Sequence, residues 1–151
     1  MRKLGILLLT MMLILPLTGC NFNTSFNDSL GVKEMEAKQH VADMLEAMTQ
    51  KDMEAVLALM YPDLLEDEIK KLPVIDQLQQ IMDYVDGRKV LSFEQLSVNV
   101  KNSSGTAGKV KQEQAVFKVM LAEETVYVSV TYLTQNGKSG FISYQMILGV
   151  V

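Results

Sequence analysis

Six side chains in this chain of 151 residues are candidates to move a proton inside a cavity: His40, Tyr61, Asp83, Tyr84, Tyr132 and Tyr144. His40 is the only histidine and Cys20 the only cysteine, so the two cannot be multiplied into a dyad with a second copy or into a zinc cluster. His40 stands among Lys38, Gln39 and Asp43 on a helical stretch, which reads as a solvated helix position. Tyr132 and Tyr144 share the apolar phase of two strands, which places both hydroxyls on a covered face, where each must find a hydrogen-bond partner or reach a cavity. Together with Asp83 they are the cavity candidates of this sequence. Glu66, Asp67 and Glu68, with Asp63, form the densest acidic run, but calcium loops need oxygen ligands at alternating positions around a glycine turn. The run is better placed as charges at a helix N-terminus. The sequence therefore indicates no metal, no cofactor and no catalytic constellation.

The elements that must position these residues follow from hydrophobic period. Between Lys33 and Gln50, Val41, Met44, Leu45 and Met48 repeat at helical spacing. Asp52 is a good N-cap for a second helix carrying Met53, Val56, Leu57 and Met60, which Tyr61 and Pro62 end. A third helical zone from Leu65 to Val85 contains Pro73, which is expected to divide it, and Asp86 with Gly87 supplies the stop. After Arg88 the period changes from 3.6 to 2.

Ala115, Phe117, Val119 and Leu121 form one apolar phase, as do Val126, Val128, Val130 and Tyr132, and Ile142, Tyr144, Met146 and Leu148. The strand from Val90 to Val100 carries Leu91 and Phe93 on one phase but Leu96, Val98 and Val100 on the other, which predicts a bulge at Glu94 and Gln95. Residues 102–108 read as a loop, Glu123-Glu124 as a tight turn and residues 136–140 as a hairpin turn. Helices followed by a one-sided sheet give an α+β class, with N-terminal helices packed on a curved antiparallel sheet of about four strands. The opposite phase, with Tyr127, Leu133, Phe141 and Ile147 among polar residues, is apolar enough for a homodimer or protein-partner surface. The eleven methionines, where they fall on helices, fill core stripes.

The N-terminus speaks about location. Arg2 and Lys3 precede an apolar run from Leu4 to Leu15, then Pro16 and the small residues Thr18 and Gly19, the layout of an export signal. The run is shorter than the roughly 20 residues of a membrane-spanning helix. Leu17-Thr18-Gly19-Cys20 resembles the bacterial lipobox. That resemblance implies a signal peptide over 1–19, removal of which leaves Cys20 as a lipidated N-terminus, with two or more acyl chains giving stable anchoring at the outer face of the cell membrane. Residues 20–32 then form a flexible tether with an r.m.s. span of roughly 20 Å, in which Phe22 and Phe26 are the apolar exceptions. Residues 33–151 are one domain's worth of chain, without a disulfide to staple it. Without the signal, 12 basic residues face all 18 acidic ones, a net charge of −6. This argues against nucleic acid and leaves the lipid, rather than the protein body, to hold the membrane.

The order of elements, and the segment Met44-Leu45-Glu46-Ala47-Met48-Thr49-Gln50-Lys51-Asp52-Met53-Glu54-Ala55-Val56 before Tyr61-Pro62-Asp63, resembles the cone-shaped fold of the nuclear transport factor 2-like superfamily, especially its small lipoprotein members. The resemblance implies a concave sheet under helices and, for relatives of this kind, a non-catalytic pocket or interaction domain. Isomerases and dehydratases of the superfamily imply the alternative, a small-molecule enzyme or carrier with an acid such as Asp83 or a tyrosine such as Tyr144 in its cavity. Fold by itself does not choose.

Overall fold

The period change near Arg88 separates two layers in the computed structural model, which describes residues 34–106 and 108–148. The expected signal peptide, Cys20 and the tether lie outside the described residues. Four helices come first: α1 (Lys38–Thr49), α2 (Met53–Ala58), α3 (Pro62–Glu66) and α4 (Glu68–Val85). Four strands follow, β1 (Val90–Gly105), β2 (Gly108–Leu121), β3 (Glu124–Gln135) and β4 (Lys138–Leu148), in an antiparallel meander of order β1-β2-β3-β4. The sheet is curved and unclosed, and the class is the expected α+β.

The helices start and stop for local reasons. Asp52 accepts a hydrogen bond from the Ala55 N–H at 3.0 Å, capping α2, and Asp67 accepts from the Ile69 N–H at 3.0 Å, capping α4. Pro62 does more than end α2: its fixed φ suits the first turn of α3. Asp86 (φ 46°) and Gly87 (φ 70°) turn left-handed and stop α4. The expected division at Pro73 is corrected, because α4 runs through it unbroken. Pro73 sits on the exposed side of the helix, five residues from its start, so the carbonyl that loses its partner is near solvent and the ring's clash can be relieved by bending. α1 begins at Lys38, five residues later than its periodicity indicates, because Met35 and Ala37 are buried ahead of the helix.

One sheet face is apolar and closed over by the helices. Phe117, Val119, Leu121, Val126, Val128 and Val130 on it are at most 1 % exposed, and they meet Val41, Met44 and Met48 of α1, Val56 of α2, and Leu78, Met82 and Val85 of α4 in a single core. The expected irregularity of β1 is present but displaced and double, since Glu94 and Gln95 themselves pair in register with Lys118 and Phe117. Pairing with β2 slips between Val90 and Ser92 and again between Gln95 and Ser97. The extra residues are Leu91 and Leu96, 57 % and 49 % exposed, and each slip returns Phe93 or Val98 to the covered face.

Two strand expectations are corrected. Asn102, Ser103 and Ser104 lie within β1, paired with Lys111, Val110 and Lys109, so the hairpin tip is far shorter than the polar composition indicates. Phe141 belongs to the core at 0 % exposure, because β4 slips against β3 between Thr131 and Tyr132, leaving Ile142 as the extra residue and reversing the phase before it. Phe141 also carries the join between layers: its N–H donates to the Leu59 carbonyl at 2.9 Å and its carbonyl accepts from the Tyr61 N–H at 2.9 Å.

Candidate functional site

The polar groups that matter gather at the end of the covered sheet face where α1 begins. Glu113, on β2 in phase with Ala115 and Phe117, is 3 % exposed and is the buried charged residue of the described chain. Its register neighbours are Val100 on β1 and Tyr132 on β3. Glu113 Oε1 accepts from the Glu36 N–H at 2.9 Å, and Gln95 Oε1 on β1 accepts from the Met35 N–H at 2.8 Å. Lys111 Nζ stands 3.7 Å from Glu113 Oε1 and also pairs with the Glu36 carboxylate. Met35 itself is 2 % exposed. Residues 34–37 thus form a strap whose side chain is in the core and whose main chain is held by two side-chain acceptors.

An aromatic row starts beside the strap. The His40 ring stacks on Tyr132, with centroids 5.2 Å apart and planes 6° from parallel. Tyr132 meets Phe141 edge-on at 5.0 Å, and Phe141 meets Tyr144 edge-on at 6.0 Å. His40 Nδ1 lies 3.8 Å from Asp43 Oδ2, beyond hydrogen-bond reach, and has no other partner. The Tyr132 hydroxyl donates to Ser139 Oγ at 3.2 Å.

The two tyrosines therefore divide the alternatives open to them. Tyr132 finds a partner at the sheet rim, whereas the Tyr144 hydroxyl is buried without one, and burial alone pushes its ionisation well above the ordinary tyrosine range. Asp83 is not with them. It is exposed on α4, where it accepts from Gln79 Nε2 at 2.8 Å, so an interior carboxylate at that position is corrected. Asp83 is four residues from Gln79 on the helix's solvent side, a stripe its own period does not distinguish from the half-buried one.

Tyr61 and Tyr84 serve structure. Tyr61 is buried where α2 passes to α3, and burial, then the Asp63 charge, raises its ionisation. Tyr84 lies under the Arg88 guanidinium, 4.9 Å from its ring centroid, and burial, then Glu124, raises it. Arg88 Nη1 donates to Glu124 Oε2 at 2.7 Å and Nη2 to the Tyr84 carbonyl at 2.7 Å, fastening the end of α4 to the β2–β3 turn.

Surface depressions of about 360 Å³ lie at two places among the described residues. One is on the outer sheet face, floored by Ser97, Asn99, Gln114, Val116, Ser129 and Thr131. The other lies between α1 and the edge strand β1, among Leu45, Thr49, Lys89, Val90 and Phe93. Neither is lined by Tyr132, Tyr144 or Asp83. Among the described residues no three His, Cys, Asp or Glu side chains gather as a metal site, and no helix is long and apolar enough to cross a membrane.

The sequence marks none of Glu113, Gln95 and Met35 as a site residue, and marks Gln95 only as the place of a bulge. A signal for the first existed: Glu113 continues the inward phase of Ala115, Phe117, Val119 and Leu121, a charge in line with a buried stripe. Comparison with protein-family models, with curated proteins and with solved structures finds no match to this chain.

Proposed function

We propose that this protein is a bacterial lipoprotein, held at the outer face of the cell membrane by lipid on Cys20, and that its domain, resembling the nuclear transport factor 2-like cone, is a non-catalytic binding or interaction module. The observation that carries the reading is Leu17-Thr18-Gly19-Cys20 behind a basic start and an apolar run. Support for the non-catalytic part comes from the interior. Its covered sheet face is filled by Phe117, Phe141 and valines, and the one buried carboxylate among the described residues, Glu113, is committed to the Glu36 N–H.

The alternative, an enzyme or carrier of isomerase or dehydratase type working inside the cone, draws on the partnerless Tyr144 hydroxyl. The acid named for that role, Asp83, is exposed on α4. A protein partner or second copy would meet the outer sheet face, where Met120 and Ile147 are 41 % and 53 % exposed, with the bulged Leu91 and Leu96 exposed on the edge strand β1.

Labelling of cells with a radioactive fatty acid tests the anchor: the natural protein takes up the label and Cys20→Ala, which keeps its uncleaved apolar segment, does not. Label on Cys20→Ala, or none on the natural protein, would sink the lipid-anchored reading.

A further inference from the structure

The strap of residues 34–37 is bound in an unusual manner for a piece of core. Its Met35 side chain is buried like the sheet's own valines. Yet its main chain enters no sheet ladder: the Met35 and Glu36 N–H groups go to the side chains of Gln95 and Glu113. Two further main-chain bonds of the strap are local, Lys38 N–H to the Met35 carbonyl at 3.1 Å and Val41 N–H to the Ala37 carbonyl at 3.4 Å. Ala37 at the N-cap of α1 makes no side-chain cap bond, so lifting the strap away costs the helix these two main-chain bonds but no side-chain cap. Lys111, paired with both Glu36 and Glu113, adds an attraction that salt weakens.

What Gln95 and Glu113 recognise is generic. Two side-chain acceptors take two successive main-chain N–H groups, and an apolar slot takes the side chain between them. Any extended peptide with a Met- or Leu-sized residue offers the same features, and capture of main-chain donors with one side-chain pocket is a recurring mode of peptide recognition. We propose that the slot filled by Met35 is a peptide-binding site, that residues 34–37 are its built-in occupant, and that an apolar peptide from a partner protein displaces them. This names the site and the partner class of the binding-domain reading and rests on it.

The built-in occupant sets the expected behaviour. A segment joined to its own site competes at an effective concentration on the order of mM, so an external peptide binds only as far as the strap opens. Once opened, the site presents the Glu113 carboxylate to a main-chain N–H and the Lys111 ammonium to an acidic side chain in the place of Glu36.

Two measurements on the full chain as recovered from cells test this. First, hydrogen exchange of the unaltered protein: the Met35 and Glu36 amides are expected to exchange at least about a hundredfold faster than those of Phe117 and Val128, through a local opening. Exchange of all four only with global unfolding would overturn the proposal.

Second, a synthetic peptide with the sequence of residues 33–38 is titrated into the natural protein and into Met35→Asp, which places a charge where the strap must be buried. Met35→Asp is expected to fold and to bind the peptide at least about tenfold more tightly, while a peptide carrying aspartate in place of its methionine does not bind. Equal or absent binding by folded Met35→Asp, or its failure to fold, would overturn the proposal. Neither readout depends on Cys20, so failure of the anchor and failure of this site are told apart.

Discussion

The main-chain N–H of Glu36 donates to the buried carboxylate of Glu113 at 2.9 Å, a bond spanning 77 positions of sequence that fixes the start of the domain to the middle of its sheet. A buried charge is tolerated only where partners compensate it, and here the N–H and Lys111 do so.

Removing that acceptor strands the Glu36 N–H and leaves Lys111 with less to pair. Glu113→Ala is expected to lower unfolding free energy by about 1–3 kcal/mol, and Glu113→Gln, which keeps an acceptor oxygen, by less. Denaturant titration of both variants decides it; an Ala variant as stable as the natural protein would contradict the bond's role.

Gly140 lies where the α2–α3 connection crosses β4. A Cβ there would stand 2.5 Å from the Tyr61 nitrogen and 2.6 Å from the Met60 carbonyl carbon, both backbone atoms with nowhere to go. Gly140→Ala is expected to cost about 1–3 kcal/mol and to weaken the Leu59–Phe141–Tyr61 bonds. Thermal unfolding reads the loss, and an unchanged midpoint would show that the crossing relaxes.

Tyr144 offers the opposite sign. Its hydroxyl is buried without a partner, so Tyr144→Phe is expected to stabilise the fold by about 1 kcal/mol while keeping the edge-on contact with Phe141. A destabilised Phe variant, read by chemical denaturation, would mean that the hydroxyl has a partner in solution.

The raised tyrosines also set an alkaline limit. For Tyr61, Tyr84 and Tyr144 the folded ionisation lies above the unfolded value near 10, so their contribution is fully present below about pH 10 and lost as pH climbs through the folded values. Phenolate absorbance is expected to show Tyr61, Tyr84 and Tyr144 ionising only together with loss of circular dichroism. Ionisation of all of them with the fold intact would contradict their burial.

Most of the architecture is legible in the sequence because period and capping chemistry agree. Asp52 caps α2, Asp86 and Gly87 stop α4, and Asn136 with Gly137 turns left-handed between β3 and β4. What is lost is lost to extra residues. The slip at Ile142 reverses the phase of Phe141, and nothing local marks it, since an isoleucine suits either face. The strap is hidden for a related reason: Met35 and Ala37 fit the helical period of α1, so their departure from the helix shows only through the distant acceptors Gln95 and Glu113.

Intact mass of the protein extracted from membranes tests the central claim most directly, run beside Cys20→Ala. The account predicts a chain beginning at Cys20 that carries the added mass of a diacylglyceryl group, with both the cleavage and the added mass absent from the variant. A chain beginning elsewhere, or an unmodified Cys20, would contradict it.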